Sequence, residues 1–287
     1  MVILVTGAAG QLGQAIKHQS KNHPSIDFVF CDSTQIDITD LKSVQKAFEQ
    51  FRPNYCINAA AYTAVDKAET DYEKAHLINV IGAQNLAQTC LDFKTTLVHV
   101  STDFVFDGAT SIPYTESDVT HPMGVYGQTK LDGEKAIQNT FDNYFIIRTS
   151  WVYSQFGANF MKTMLRLATD RDSISVVNDQ IGTPTNAIDL AEALLTICST
   201  NEQKDATNSC YGVYNYSNEG QCSWYDFAKK IFETNAININ LQPIPSTGFP
   251  TPAKRPAYSV LDKSKLKTVF GIEIKNWEES LKSTVYQ

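Results

Sequence analysis

Short apolar runs alternate with amphipathic segments through the first half of the chain. The apolar runs predict buried β-strands at residues 2–6, 28–31, 55–60, 96–101 and 144–150. The segments between them carry apolar positions at helical spacing and predict helices at residues 40–51, 71–93 and 130–141. Because strands that are apolar throughout are covered on both faces, this alternation predicts an α/β fold with a Rossmann-type, doubly wound parallel sheet.

The pattern of the second half is less regular. Loops that contain proline interrupt it, and helices are predicted near residues 157–168, 186–198 and 223–234. We therefore expect an NAD(P)-binding Rossmann domain at residues 1–150 and a smaller C-terminal substrate-binding lobe at residues 151–287. No linker-like segment separates the two, so the lobe is expected to interleave with the sheet.

Composition narrows the class of protein. The chain has 287 residues, of which 43% are hydrophobic and 19% charged, and its formal net charge of −7 argues against nucleic acid or an anionic membrane as a partner. Six cysteines lack Cys-x-x-Cys spacing and five histidines lack ligand-like spacing, so we expect free structural thiols and no metal site. A strand that begins at residue 2 leaves no signal peptide, and a cytoplasmic location is expected.

A glycine-rich segment directly follows the first predicted strand. The segment "TGAAGQLG" (6–13) places Gly7, Gly10 and Gly13 between that strand and a predicted helix. In this context glycines permit a tight turn, a close backbone approach to a pyrophosphate and close packing of helix on strand. The segment predicts a dinucleotide-binding loop, and a glycine-rich turn without a ligand is the alternative.

Positions after the second and third strands extend this prediction. Asp32 ends the second strand, where a carboxylate can accept hydrogen bonds from the adenosine ribose or can simply form a turn. Asp37 and Ile38 are predicted to flank the adenine, although "DITD" (37–40) also fits a helix cap. Three small residues after the third strand either line the middle of the cofactor or only pack there: Ala59, Ala60 and Ala61.

Three polar side chains are predicted to meet at the carboxyl edge of the sheet. Thr102 ends the fourth strand, and Tyr126 and Lys130 of "YGQTK" share one helical face. A tyrosine can protonate the alkoxide that forms when a hydride reaches a ketone, and a threonine can bond the carbonyl oxygen. A neighbouring ammonium favours the phenolate, so we expect Lys130 to lower the pKa of Tyr126 while it bonds the nicotinamide ribose. Such pairs also occur by chance on helix surfaces.

These motifs resemble a known family. The segment "GAAGQLG", Asp32 and Tyr126-x-x-x-Lys130 are similar to the extended short-chain dehydrogenases/reductases. The segments "NAAAYTAVDKAE", "STDFVFDG", "DQIGTPT" and "RPAYSVLD" are similar to those members that reduce dTDP-linked 4-keto-6-deoxysugars. The resemblance runs from residue 2 to about residue 285. It implies reduction of dTDP-6-deoxy-L-lyxo-4-hexulose at its 4-keto group to dTDP-L-rhamnose, with hydride from NAD(P)H.

The resemblance also implies roles for the matching positions. It makes Tyr126 the general acid, Lys130 its electrostatic partner and Thr102 the residue that tunes proton transfer. The implied contacts of the cofactor diphosphate are Gly10, Gln11 and Leu12. The implied contacts of the sugar nucleotide are Thr102, Asp103 and Trp151. From the residues themselves, a core tryptophan is an equally reasonable interpretation of Trp151.

Two further features bear on specificity. Arg255, in the Pro-rich segment "AKRPAY", offers a forked cation to the substrate diphosphate, with a solvated surface arginine as the alternative. No Lys or Arg lies between positions 31 and 38, so Asp32 favours NADH over NADPH.

Two other functions remain open from the sequence. One is a non-catalytic chain that resembles the regulatory subunit of methionine adenosyltransferase, against which the intact set of Thr102, Tyr126 and Lys130 argues. The other is an extended reductase that acts on a different nucleotide sugar. The expected partner is a dTDP-sugar, and a homodimer is left open.

Overall fold

The structure is a computed structural model that describes residues 1–203 and 210–284. Its strands are β1 (Val2–Thr6), β2 (Asp27–Cys31), β3 (Tyr55–Asn58), β4 (Thr96–Thr102), β5 (Tyr144–Thr149), β6 (Val152–Tyr153), β7 (Ser173–Val177), β8 (Ile181–Gly182), β9 (Thr185–Asn186), β10 (Gly212–Asn215), β11 (Cys222–Ser223) and β12 (Asn240–Ile244). Its α-helices are α1 (Gln11–Gln19), α2 (Leu41–Phe51), α3 (Val65–Ala68), α4 (Tyr72–His76), α5 (Gly82–Phe93), α6 (Val125–Gln138), α7 (Phe160–Asp170), α8 (Ala187–Glu202), α9 (Trp224–Thr234), α10 (Ser264–Phe270) and α11 (Trp277–Lys282).

Six strands form one parallel sheet in the order β10-β5-β4-β3-β1-β2. The order reverses between β1 and β3, which is the switch point where ligands bind in doubly wound sheets. Separate hydrophobic clusters cover the two faces, one with residues of α1 and α8 and the other with residues of α2 and α5. The five strands predicted from apolar runs and the doubly wound parallel sheet are confirmed.

The C-terminal part of the chain adds to this sheet and also packs beside it. Strand β10 lies in the segment predicted as the lobe, yet it pairs with β5 at the sheet edge. Outside the sheet, β7 pairs with β12 and β8 with β11, over a cluster that includes Tyr153, Phe227 and Trp277. Residues 204–209 and 285–287 of the predicted lobe lie outside the described residues. The division at residue 150 stays a prediction.

Two predicted helices differ from the observed ones. Helix α6 begins at Val125, before the predicted start at residue 130, because the carboxylate of Glu69 accepts a hydrogen bond from the Val125 amide over 2.9 Å. The helix predicted at residues 71–93 contains a π-helical turn at Leu77–Ile81. There the buried Asn79 donates to the carbonyl of Tyr62 and to the hydroxyl of Thr129 on α6. No helix within residues 1–203 and 210–284 is long and apolar enough to cross a membrane.

A buried ion pair joins β5 to α6. The guanidinium of Arg148 contacts the carboxylate of Glu134 over 2.7 Å, and their side chains are only 5% and 1% exposed. Ser101 on β4 donates a hydrogen bond to the same carboxylate over 2.5 Å. A buried pair of this kind contributes little over an apolar pair, but either partner alone would be an uncompensated charge.

We expect Arg148→Met to lower the free energy of unfolding by about 3–5 kcal/mol, because it leaves the Glu134 carboxylate buried without its cation. Urea unfolding followed by circular dichroism measures this change. The control is Lys135→Met on the same helix, where a 56% exposed lysine pairs weakly with Asp132 and the loss should stay below about 1 kcal/mol. Adding Glu134→Leu to Arg148→Met should recover most of the lost stability, and failure to do so would contradict the explanation.

Candidate active site

The glycine loop touches the end of β3 at the switch point. Gly7 has φ +65°, and a Cβ atom there would lie 2.6 Å from the amide nitrogen of Ala60 and 2.7 Å from the carbonyl carbon of Ala59. A Cβ on Gly13 would lie 2.4 Å from the carbonyl oxygen of Gly7. Both positions therefore require glycine, which agrees with the turn and packing roles predicted for them. The alanine run and the glycine loop are therefore in direct backbone contact.

The side chain of Gln11 joins this loop to the C-terminal part of the chain. Its amide nitrogen donates to the carbonyl of Val152 over 3.1 Å, and its oxygen accepts from Asn159 over 2.6 Å and from Ser154 over 3.2 Å. Gln11 begins α1 after the N-cap residue Gly10, which makes no side-chain cap hydrogen bond. The side chain of Gln11 is thus occupied by these contacts. The predicted diphosphate contact would therefore involve the backbone amides of Gln11 and of Leu12, the next residue of α1.

The predicted adenosine contacts lie after β2. Asp32 Oδ1 accepts from the amide and the hydroxyl of Thr34 over 2.8 and 2.6 Å, and these bonds lower the pKa of the Asp32 carboxyl. Asp37 forms the equivalent turn with Thr39, and the cap of α2 is Asp40 instead. Ile38 is 6% exposed and packs on Gly82 in the core. Its predicted adenine contact stays a prediction.

Thr102, Tyr126 and Lys130 come together at the carboxyl end of β4. The hydroxyl of Thr102 accepts from the amide of Phe104, whose ring contacts the ring of Tyr126 edge-on at 5.5 Å. Lys130 follows one turn after Tyr126 on α6 and is 2% exposed. The ammonium nitrogen of Lys130 donates to the carbonyl of Val100 over 2.7 Å and lies 3.3 Å from the Nε2 atom of His99.

The electrostatics of this group differ from the prediction in one respect. Burial raises the pKa of Tyr126 to about 12, opposed by a hydrogen bond with Thr102 and assisted by the charge of Asp103. Burial also lowers the pKa of Lys130 to about 8, against the effect of Glu134. The expectation that Lys130 lowers the pKa of Tyr126 was therefore wrong, because the lysine is directed at Val100 and His99 rather than at the phenol.

Asp103 is a buried carboxylate beside the phenol. It is 2% exposed, and its Oδ1 accepts from the hydroxyl of Thr102 over 3.1 Å. Its Oδ2 has no hydrogen-bond partner among the described residues. Burial raises the pKa of the Asp103 carboxyl to about 6. A buried oxygen of this kind can accept a hydrogen bond from a ligand hydroxyl.

Trp151 follows β5 and is held between two neighbours. Its ring stacks on Trp224 with the centroids 3.5 Å apart, and a Cβ on Gly182 would lie 2.6 Å from the indole. The backbone of Trp151 has φ +46°, which is strained for a residue with a side chain. The side chain is partly exposed and packs against the hydrophobic cluster around Phe227, so its contact with the sugar nucleotide stays a prediction.

Arg255 is already paired. Its guanidinium binds both carboxylate oxygens of Asp66 over 2.9 and 2.8 Å, and it also donates to the hydroxyl of Thr251. The side chains of Arg255 and Asp66 are 25% and 41% exposed. The predicted contact with a substrate diphosphate would need to replace Asp66, and the alternative of a freely solvated arginine does not fit either.

Sequence reasoning missed several residues of this region. His99 is a polar position inside an apolar strand, which is a signal for a specific partner. Gly182 within "DQIGTPT" marks a close approach to Trp151, as isolated glycines often do. Trp224 carried no signal, because its partner is distant in the sequence. Within the part of the chain that the structure describes, no group of three or more His, Cys, Asp and Glu side chains could hold a metal ion.

A glycine loop at the switch point of a parallel sheet, beside a helix with Tyr-x-x-x-Lys, is the architecture of the extended short-chain dehydrogenase/reductase class. The family model described as the RmlD substrate binding domain matches residues 1–287. A dTDP-4-dehydrorhamnose reductase of Aggregatibacter actinomycetemcomitans is 40% identical, and the alignment covers 98% of this chain and 97% of that protein. The chain therefore belongs to the dTDP-4-dehydrorhamnose reductase family.

Solved structures agree with this assignment. A dTDP-4-dehydrorhamnose reductase from Clostridium acetobutylicum superimposes with a TM-score of 0.93 at 42% identity, over 99% of this chain and 98% of that one. The enzyme of the same name from Bacillus anthracis, in complex with NADP, gives a TM-score of 0.92 at 38% identity, over 99% and 98% of the two chains.

The buried Asp103 carboxyl predicts a pH effect on stability. Its pKa is raised in the folded chain above the ordinary value of 3.8, so the folded chain is most favoured below about pH 4 and loses this contribution as the pH rises through about 6. Asp103→Asn removes that loss. Relative to wild type, its free energy of unfolding should improve by roughly 2–3 kcal/mol between pH 4 and pH 8.

Urea unfolding at several pH values measures this difference. Asp107→Asn is a control of opposite sign, because hydrogen bonds from the Ala109 amide and His121 lower the pKa of Asp107. That variant should lose stability relative to wild type only as the pH rises toward about 4, with no further change between pH 4 and pH 8. A pH-independent difference between Asp103→Asn and wild type would mean that this carboxyl titrates normally.

Proposed function

We propose that this chain reduces the 4-keto group of dTDP-6-deoxy-L-lyxo-4-hexulose to give dTDP-L-rhamnose. The observation that carries the proposal is the convergence of Thr102, Tyr126 and Lys130 at the carboxyl end of β4, next to the switch point, in a chain of this family. When bound, NAD(P)H supplies the hydride. Incubation of the protein with this dTDP-sugar and NADH, followed by the fall in absorbance of the reduced nicotinamide, tests the proposal.

Tyr126 is the proton donor of the proposed reaction. The new alkoxide oxygen needs a proton as the hydride arrives, and a phenol whose pKa is about 12 stays protonated at neutral pH until the stronger base forms. The hydroxyl of Thr102 orients the carbonyl oxygen toward Tyr126. Lys130, one turn farther along α6, binds the nicotinamide ribose.

The glycine loop binds the cofactor diphosphate. Gly10 leaves the first amides of α1 without a side-chain cap, so that they can donate to phosphate oxygens, and the loop backbone can approach closely. Asp32 accepts hydrogen bonds from the adenosine ribose, while Asp37 lies farther along the same edge. The alanines after β3, whose backbone contacts this loop, line the middle of the cofactor.

The sugar nucleotide lies against Trp151 and Asp103. The indole offers a flat apolar surface to the 6-deoxy side of the sugar, and its stacking on Trp224 keeps it in place. Asp103 accepts a hydrogen bond from a sugar hydroxyl. Arg255 binds the diphosphate of the substrate after it exchanges Asp66 for the ligand. None of the six cysteines forms a disulfide within the described residues, which fits the reducing cytoplasm where we place the reaction.

Replacing Tyr126 by phenylalanine should lower kcat by ~10²–10⁴-fold while cofactor affinity changes little, because only the proton donor is lost. Steady-state kinetics together with a fluorescence titration of NADH measure the two effects. Tyr72→Phe is the control, since this tyrosine is 47% exposed on α4. Near-normal turnover of the Tyr126→Phe variant would remove Tyr126 from the mechanism.

Cofactor preference should depend on Asp32. The hydrogen bonds from Thr34 keep this carboxylate ionised, and a negative charge repels the 2′-phosphate of NADPH while it binds the 2′-hydroxyl of NADH. We expect a kcat/KM with NADH that equals or exceeds that with NADPH by up to roughly tenfold, and a smaller ratio in Asp32→Ala. Asp27→Ala, at the opposite end of β2, should leave the ratio unchanged. A clear preference of the wild type for NADPH would contradict this role.

A further inference from the structure

A row of buried polar side chains crosses the sheet from Thr6 on β1 to Lys130 on α6. The hydroxyl of Thr6 on β1 donates to Oδ1 of Asn58 on β3 over 2.7 Å. Nδ2 of Asn58 lies 3.0 Å from Nδ1 of His99 on β4, and Nε2 of His99 lies 3.3 Å from Nζ of Lys130 on α6. Each of these four side chains is at most 2% exposed. Unpaired polar groups at this depth are costly, so each donor needs an acceptor.

The orientation of the Asn58 amide is fixed by its neighbours. The backbone amide of Ala60 donates to Asn58 Oδ1 over 3.2 Å, and a backbone N–H can only donate. The oxygen of Asn58 therefore faces Ala60 and Thr6, and the amino group faces His99. Because an amino group also only donates, Nδ1 of His99 must accept, and the neutral ring carries its proton on Nε2.

That Nε2–H group is directed at Lys130. The nitrogen of Lys130 already donates to the carbonyl of Val100 over 2.7 Å. An ammonium has three donors and no acceptor, so it would set a donor against the ring N–H, whereas an amine can accept from His99 and still donate to Val100. Burial holds the pKa of His99 well below its usual range, so the ring does not become the charged partner.

The other charged groups around Lys130 do not reverse this preference. Glu134, one turn farther along α6, favours the ammonium, but its carboxylate is paired with Arg148 on β5 over 2.7 Å. On the side of the β4 carboxyl end, Asp103 acts on Tyr126. Burial itself has the largest effect and lowers the pKa of Lys130 to about 8.

We propose that His99 is a positioning residue, which Asn58 holds as the Nε2–H tautomer so that its ring N–H favours the amine form of Lys130 over the ammonium. The amine form leaves no unpaired charge buried beside His99 and Val100. The pH at which Lys130 ionises then forms part of the pH profile of turnover. This last consequence rests on the proposed function, whereas the tautomer of His99 does not.

The tautomer is tested on the full-length wild-type protein by NMR of ¹⁵N-labelled histidine rings. The His99 signals are assigned by elimination, with glutamine variants of His18, His23, His76 and His121. We expect His99 to give the pattern of a neutral ring protonated on Nε2 and not to titrate from about pH 6 to about pH 9. A ring protonated on Nδ1, or an imidazolium in that range, would overturn the proposal whether or not the protein is a reductase.

The effect on Lys130 is tested with His99→Gln. The glutamine amide can turn its oxygen toward Lys130 and accept from an ammonium, so the apparent pKa assigned to Lys130 in the profile of kcat/KM against pH should rise by on the order of one unit. The control is His121→Gln, the same change at a 78% exposed histidine, which should leave the profile unchanged.

An unshifted profile in a folded His99→Gln variant would overturn the link between His99 and Lys130. If that variant does not fold, the NMR experiment on the wild type still decides the tautomer. If the wild type has no activity on the dTDP-sugar, the proposed function fails, and the same NMR experiment still tests the inference.

Discussion

The close approach of helix α6 to its neighbours is the constraint on which the rest of the site depends. A Cβ on Gly127 would lie 2.2 Å from the carbonyl oxygen of Phe104, and a Cβ on Gly133 would lie 2.2 Å from that of Asn79. Each glycine inside a helix lowers its stability by about 1 kcal/mol relative to alanine. In return, α6 packs directly against the backbone of its neighbours, which places Tyr126 and Lys130 beside β4.

A helix packed so closely excludes water, and charges buried under it need partners from the protein. The pairing is complete where the role is structural, as in the ion pair of Arg148 with Glu134. It is incomplete at the site: Lys130 has one carbonyl and one ring nitrogen, and Asp103 keeps an oxygen that no described residue binds. The side chains with shifted pKa values cluster at that end of α6, because protein partners do not fully replace the water that these groups lose on burial.

Local patterns sufficed for much of the fold and the candidate site. The strands followed from apolar runs, and the glycine loop followed from spacing. Strand β10 was not predictable in the same way, because its place beside β5 depends on pairing between distant segments. The direction of the pKa shift of Tyr126 was missed for a similar reason, since it depends on where the side chain of Lys130 points in the folded chain. The partner of Arg255 is likewise a tertiary contact across the chain.

Polar contacts join the N-terminal part of the chain to its C-terminal part. Gln11 bonds Val152 and Asn159 at the loop, while Asp66 binds Arg255 beyond the alanine run. A partly exposed polar contact can be replaced by a contact with a ligand at a small cost in free energy. An apolar interface offers no such exchange. Asp66 presents to Arg255 the forked pair of oxygens that a phosphate also presents. An anion that binds the same edge of the Arg255 guanidinium therefore competes with Asp66, which still accepts a hydrogen bond from the Ala253 amide.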